Sequence, residues 1–133
     1  MANALYAKYK EKVLAGGVSW TGDNIKVALV DADDYTVDLA ADEFLDDIAS
    51  GAIIATSANL GSKTVTGGVA DAANVTFTAV SGDISEALVI FKDTGTASTS
   101  PLIAYIDDAD GLAVTPNGGD ITVIWPDDGI FEL

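Results

Sequence analysis

The stretch "EALVIFK", Glu86 to Lys92, decides the fold. It is strand-length, β-branched and aromatic at its centre, and apolar without interruption from Ala87 to Phe91. A short continuous apolar run bounded by turn residues predicts a central strand buried on both faces. Such a strand needs neighbours, and the chain supplies them on either side. "NVTFTAV", Asn74 to Val80, alternates cleanly, with Val75, Phe77 and Ala79 to one side and Thr76 and Thr78 to the other. Asn24 to Val30 reads as a strand with Ile25, Val27 and Leu29 on one face. Further strands are expected at Ala52–Thr56, at "SKTVT" (Ser62–Thr66), at "PLIAYID" from Pro101 and at "DITVIW" from Asp120. "GIFEL" closes the chain as an edge strand.

Turn residues separate these runs: Gly67-Gly68, Ser81-Gly82-Asp83, Thr94-Gly95 and "TPNGGD", Thr115 to Asp120. In the acidic segment that follows Val30, "DEFLDDI" is read as a short helix with Phe44, Leu45 and Ile48 inward, ended by Gly51. The one long helical pattern is N-terminal. Leu5, Tyr9 and Val13 recur every fourth residue and form an apolar stripe over Ala4–Leu14. Asn3 is the expected cap and Gly16-Gly17 the stop. No second long helix separates strands, so a parallel α/β fold is disfavoured. The expectation is a mainly β chain: an antiparallel β-sandwich or open, jelly-roll-like barrel with an N-terminal α-helix. Residues 1–133 form one domain in this reading, with the helix and its turn over 1–17 and the β part over 18–133.

Composition narrows the chemistry. The chain has 133 residues, 49% hydrophobic, enough for a core despite a net charge of -15. It has no cysteine and no histidine, and all its basic residues are lysines. Disulfides, thiolate nucleophiles, imidazole bases, zinc–thiolate sites and guanidinium forks are therefore excluded. The acidic surplus, 21 Asp and Glu against 6 Lys, repels nucleic-acid phosphates. No run of about 20 apolar residues is present, so no membrane span is expected. The start is amphipathic rather than built as a signal peptide, and none is expected. The charge is uneven: Lys8, Lys10 and Lys12 against Glu11 give the first twelve residues +2, and leave -17 to the rest. A basic helix on an acidic body suits self-association or docking onto an acidic neighbour, with Tyr6, Lys8, Tyr9, Lys10 and Lys12 as the gripping residues.

Two acidic stretches invite a calcium reading. In "DDADGLAVTPN" a glycine at the sixth loop position, Gly111, puts Asp108 and Asp110 in register, but Ile106 and Asn117 then occupy the first and last ligand positions. In "DADDYT" Thr36 stands where the glycine belongs, after Asp31, Asp33 and Asp34. Neither is an EF-hand; a looser Ca²⁺ site built from scattered oxygens stays open, and no other cofactor is expected. Trp20 and Trp125 read as core or interface anchors rather than sugar platforms. No enzyme activity and no catalytic residues are expected.

The segments "NALYAKYKEKVLAGGVSW", "IKVALVDADDYTVDLAADEFLDDI", "KTVTGGVADAANVTFTAVSGD", "EALVIFKDTGT" and "LIAYIDDADGLAVTPNGGDITVIW" follow one another with short connections. In this pattern the chain resembles small virion structural proteins of tailed bacteriophages, the capsid decoration (cement) proteins. The resemblance runs from Asn3 to about Trp125 and is most specific in "DDADGLAVTPNGGDI". It implies a non-enzymatic protein on the outer capsid surface, made in the host cytoplasm, binding the major capsid protein and forming homo-oligomers. The alternatives are a tail component (tube, connector or fibre-associated subunit) or a surface calcium- or carbohydrate-binding module. The end "WPDDGIFEL" departs from the pattern: it is short and carries Pro126 where a longer turn with a basic residue is expected.

Overall fold

The computed structural model describes residues 4–108 and 112–132. Its centre is a five-stranded antiparallel sheet in the order β1 (Ala4–Leu5), β7 (Leu102–Ile106), β6 (Ala87–Lys92), β2 (Ile25–Val30), β3 (Ile53–Thr56). Two further antiparallel ribbons pair β4 (Val69–Ala70) with β9 (Phe131–Glu132), and β5 (Val75–Phe77) with β8 (Ile121–Val123). One α-helix, α1 (Ala7–Leu14), is found among the described residues and packs along β7. The fold is thus mainly β, with sheets that do not close into a barrel.

β6 takes the middle place that its composition requires. Ala87, Leu88, Val89 and Ile90 are fully buried, and Phe91 nearly so. On one face Leu88 and Ile90 stand between Leu29 and Val27 of β2 and Ile106 and Ala104 of β7. On the other face Val89 stands between Ala28 and Tyr105. β2 and β7 are buried nearly throughout as well, so both faces of the sheet are covered. Beyond one face, the rings of Tyr9 and Trp20 meet Phe131 of β9 edge-on at 6.0 and 5.2 Å. Beyond the other, the Tyr35 ring lies 6.2 Å from that of Tyr105. Each fully buried aliphatic side chain of this kind stabilises the fold by roughly 1.5–3 kcal/mol.

Several expected elements are trimmed, each for a visible reason. The helix starts at Ala7, not Ala4: Ala4 and Leu5 pair with Tyr105 and Ala104, and the Tyr6 N–H donates to the Ile103 carbonyl, so sheet pairing claims the first turn. Asn3 lies outside the described residues. β5 stops at Phe77 because Ala79 takes φ 51°, its N–H held by the Asp120 carboxylate at 2.9 Å. That break turns Val80 inward and leaves Ala79 outside. Ser62–Thr66 is not a strand; Thr64 makes an isolated bridge to Asp71, and a 3₁₀ turn at Thr66–Gly68 follows, with Gly67 and Gly68 at positive φ. "DEFLDDI" contracts to a 3₁₀ turn over Leu45–Asp47, whose Asp47 carboxylate accepts the N–H groups of Glu43 and Phe44. Ile48 is buried there, while Phe44 and Leu45 are half-buried.

Replacing Ile90 by alanine removes a side chain that the two flanking strands cannot collapse around. Urea unfolding is expected to show a loss of about 2–5 kcal/mol with an unchanged slope. A loss below about 0.5 kcal/mol, the level of an exposed position, contradicts the central placement of β6.

Candidate functional site

Among the described residues, two places gather groups that could meet a ligand or partner. The first lies where β2 ends and β6 begins. Asp31, 95% buried at the end of β2, accepts the Asp33 N–H on its own side chain at 3.0 Å, and the Asp34 N–H on its carbonyl at 3.1 Å. This is the turn that Asx residues favour, and it points several carboxylates at one spot. Glu86, which leads into β6 beside it, completes one trio with Asp31 and Asp33; Asp83 completes another with Asp31 and Asp34. Within each trio one carboxylate oxygen per residue lies within 4.8 Å of the others. Hard oxygen donors of this kind suit Ca²⁺, which takes 6–8 of them, so these residues are the ones that could hold a cation, with carbonyls and water completing the shell. The sequence shows Asp31, Asp33 and Asp34 together; Asp83 and Glu86 reach them only through the β2–β6 pairing. Of the other acidic stretch, residues 109–111 lie outside the described residues.

Glu86 is the strained member of the cluster. Its Oε1 is buried and receives no hydrogen bond from a described residue. Burial first, then the charges of Asp31 and Asp33, pushes its carboxyl above the ordinary range.

The second place is the side of the molecule formed by α1, β1 and β9. The residues expected to grip a partner divide sharply here. Tyr6 and Tyr9 are 0% and 3% exposed, so their rings belong to the core and not to a surface. The reason is geometric: Tyr9 lies on the apolar stripe itself, and Tyr6 sits at the strand–helix junction with its side chain turned inward. The Tyr35 hydroxyl donates to Asp42 Oδ2 at 2.7 Å and so accepts from the Tyr6 hydroxyl at 2.8 Å. Burial drives both phenols well above their usual range, so both stay protonated.

The lysines sort as well. Lys12 reaches Glu43 Oε1 at 2.6 Å and lies 4.9 Å from the Phe44 ring centre, turned to its own chain. Lys8 pairs with Glu11 at 3.3 Å. Lys26 and Lys92 pair with Asp93 and Asp23 at 2.8 and 3.2 Å, and Lys63 donates to the Asp23 carbonyl. Lys10 is exposed and has no ion-pair partner among the described residues. It borders an open groove of about 600 Å³ floored by Leu5, Ala104, Ile106 and Phe131. Leu14, 90% exposed, stands beside an adjoining depression that Lys10 and Glu132 share. The exposure of Leu14 is not among the sequence expectations, and β9 falls within the expected edge strand "GIFEL" without its partner being readable. Leu14 falls off the Leu5–Tyr9–Val13 stripe, which was a usable signal; the β4–β9 pairing that brings Phe131 here has none. Trp20 and Trp125 are buried, and their indoles donate to the carbonyls of Asp71 and Ala73, each at 3.1 Å. They pin a loop and present no stacking platform.

Comparison of the sequence with protein-family models and with curated proteins gives no match to either.

Two outcomes follow from these contacts. Tyr35→Phe leaves the buried Tyr6 hydroxyl without its acceptor and is expected to cost about 1–3 kcal/mol in urea unfolding, more than Tyr6→Phe, which leaves the Tyr35–Asp42 bond in place. The reverse order contradicts the assigned direction of the chain of bonds. Glu86 binds its proton more tightly folded than unfolded, so the stability it contributes is present below the usual carboxylate range and is lost as pH rises through its folded pKa. Glu86→Gln should therefore melt higher than wild type at pH 7, with the gain fading below about pH 4. A variant that melts lower at pH 7 contradicts the crowding of these carboxylates.

Proposed function

We propose that this chain is a non-enzymatic virion protein of a tailed bacteriophage, decorating the outer surface of the capsid and stabilising the head. The observation that carries the reading is the division of its surface. Five lysines are tied to the chain's own acids or backbone, and the remaining one, Lys10, stands with exposed Leu14 and an open groove of mixed polar and apolar lining on one side of the molecule. A body with one docking side and an acidic remainder suits a subunit that seats among neighbours in a lattice and turns its charge to the medium. Electrostatics of this form orient approach more than they set affinity. A sheet buried on both faces gives the rigid body that clamping demands, and a chain without histidine, cysteine or arginine needs no chemistry for that task. The resemblance of Asn3–Trp125 to capsid decoration proteins points the same way, with the major capsid protein as the partner.

The test is heat release of packaged DNA from heads assembled with and without the chain. Heads lacking it are expected to open at a lower temperature, and added purified protein to restore the midpoint. Heads of equal resistance, or recovery of the protein from purified tails alone, would overturn the reading in favour of a tail component.

A further inference from the structure

We propose that Asn117 is a modification site: its side-chain amide cyclises onto the Gly118 nitrogen and opens to aspartate and isoaspartate, and the hydrogen bond from Gly118 to Val80 gates the reaction. The inference stands without the decoration reading. Asn117 and Gly118 lie exposed in the turn that leads into β8. Asn117 Oδ1 accepts the Gly119 N–H at 2.9 Å. That bond polarises the amide and supports the charge that grows on its oxygen when a nucleophile adds to the carbon. The chain supplies the nucleophile as the backbone nitrogen of the next residue. Gly118 stands at φ 87°, a conformation that suits glycine, and it has no Cβ to crowd the attack.

The chemistry needs only water. The Gly118 nitrogen gives its proton to solvent and bonds to Asn117 Cγ. The Cγ–Nδ2 bond breaks, and ammonia leaves a succinimide ring. Water adds to either carbonyl of that ring. Opening at Cγ restores the ordinary backbone with a carboxylate side chain. Opening at the backbone carbonyl leaves the chain running through the side chain, as isoaspartate.

The fold holds the nucleophile back. The Gly118 N–H donates to the Val80 carbonyl at 2.7 Å, and the Val80 N–H donates to the Gly119 carbonyl at 2.9 Å. Val80 is buried, and the Asp120 carboxylate fixes the N–H of its neighbour Ala79 at 2.9 Å. A nitrogen whose proton is bound in this way attacks only when the turn opens locally. The other described asparagines, Asn24, Asn59 and Asn74, precede Ile25, Leu60 and Val75, whose bulk crowds the attacking nitrogen. Isoaspartate adds a carbon to the backbone between positions 117 and 118. The two bonds to Val80 then lose their common register, and the end of the β5–β8 ribbon loosens.

Peptide mass mapping of the full chain, held in mildly alkaline buffer either folded or in urea, tests this. Conversion is expected first at Asn117 in both, and about two- to tenfold slower in the folded chain. Asp120→Ala, which frees the Ala79 N–H, should speed conversion of the folded chain and leave the rate in urea unchanged. Equal rates folded and in urea, or a folded Asp120→Ala chain that converts no faster than wild type, overturn the gate. Where Asp120→Ala fails to fold, the wild-type comparison decides alone. An Asn117 that never converts in the folded chain, or another asparagine that converts first, overturns the site. Asn117→Asp keeps an oxygen for the Gly119 N–H and should melt as wild type does, whereas the isoaspartate form should melt lower. An isoaspartate form that melts as wild type does overturns the loosening of the ribbon.

Discussion

A strand with no polar side chain from Ala87 to Phe91 has nowhere to rest except between two layers, and that constraint organises the molecule. β2 and β7 flank it because they too carry apolar residues on both faces, so the pairings Val27–Ile90–Ala104 and Leu29–Leu88–Ile106 place one aliphatic row against another. What remains of the chain must then cover two faces. The ring cluster of Tyr9, Trp20 and Phe131 lies over one, and the Tyr35–Tyr105 contact lies over the other. The short length of the remaining strands follows: they are covers, and they need only enough pairing to hold a few large side chains in place.

Polar groups fix those covers in register. Each buried tryptophan donates to a carbonyl of the segment that joins β4 to β5, at Asp71 and Ala73. The bonded series Tyr6–Tyr35–Asp42 ties the start of the helix to the acidic loop after β2. Buried hydroxyls without partners are costly, so these bonds favour one arrangement over its neighbours more than they add net stability. The carboxylate cluster at Asp31 works in the opposite sense. It satisfies the turn after β2 through the Asp33 N–H, yet brings Glu86 up against two like charges.

Strands with a strong period or a long apolar run were legible in the sequence. β2, β6 and β7 lie within a residue or two of their expected limits, because burial on one or both faces writes itself into the side chains. The failures are local and tertiary. Ala79 looks like a strand residue, but the Asp120 side chain captures its backbone from 41 positions away and bends it out. Ala4 and Leu5 fit a helical stripe, but an open edge of β7 offered them pairing instead. The same limit governs the sites. The Leu5–Tyr9–Val13 stripe marks a helix and its lysines make it basic, yet whether Lys12 or Lys10 faces outward depends on where Glu43 lies, and whether Tyr6 is a surface or core residue depends on Tyr35. The glutamate that crowds the Asp31 cluster, 55 positions on, precedes β6 and is placed there only once β2 and β6 are paired.

Among the described residues, one side of this acidic body combines a lysine without an ion pair, exposed Leu14 and an edge strand. Such a side is suited to being held among neighbours. The central claim is that those neighbours belong to the shell of a virion. Cryo-electron microscopy of the intact particle tests it most directly. The account predicts density with this five-stranded sheet and its single helix on the outer face of the head, repeated over the lattice. Density of this shape confined to the tail, or absent from the particle, would contradict it.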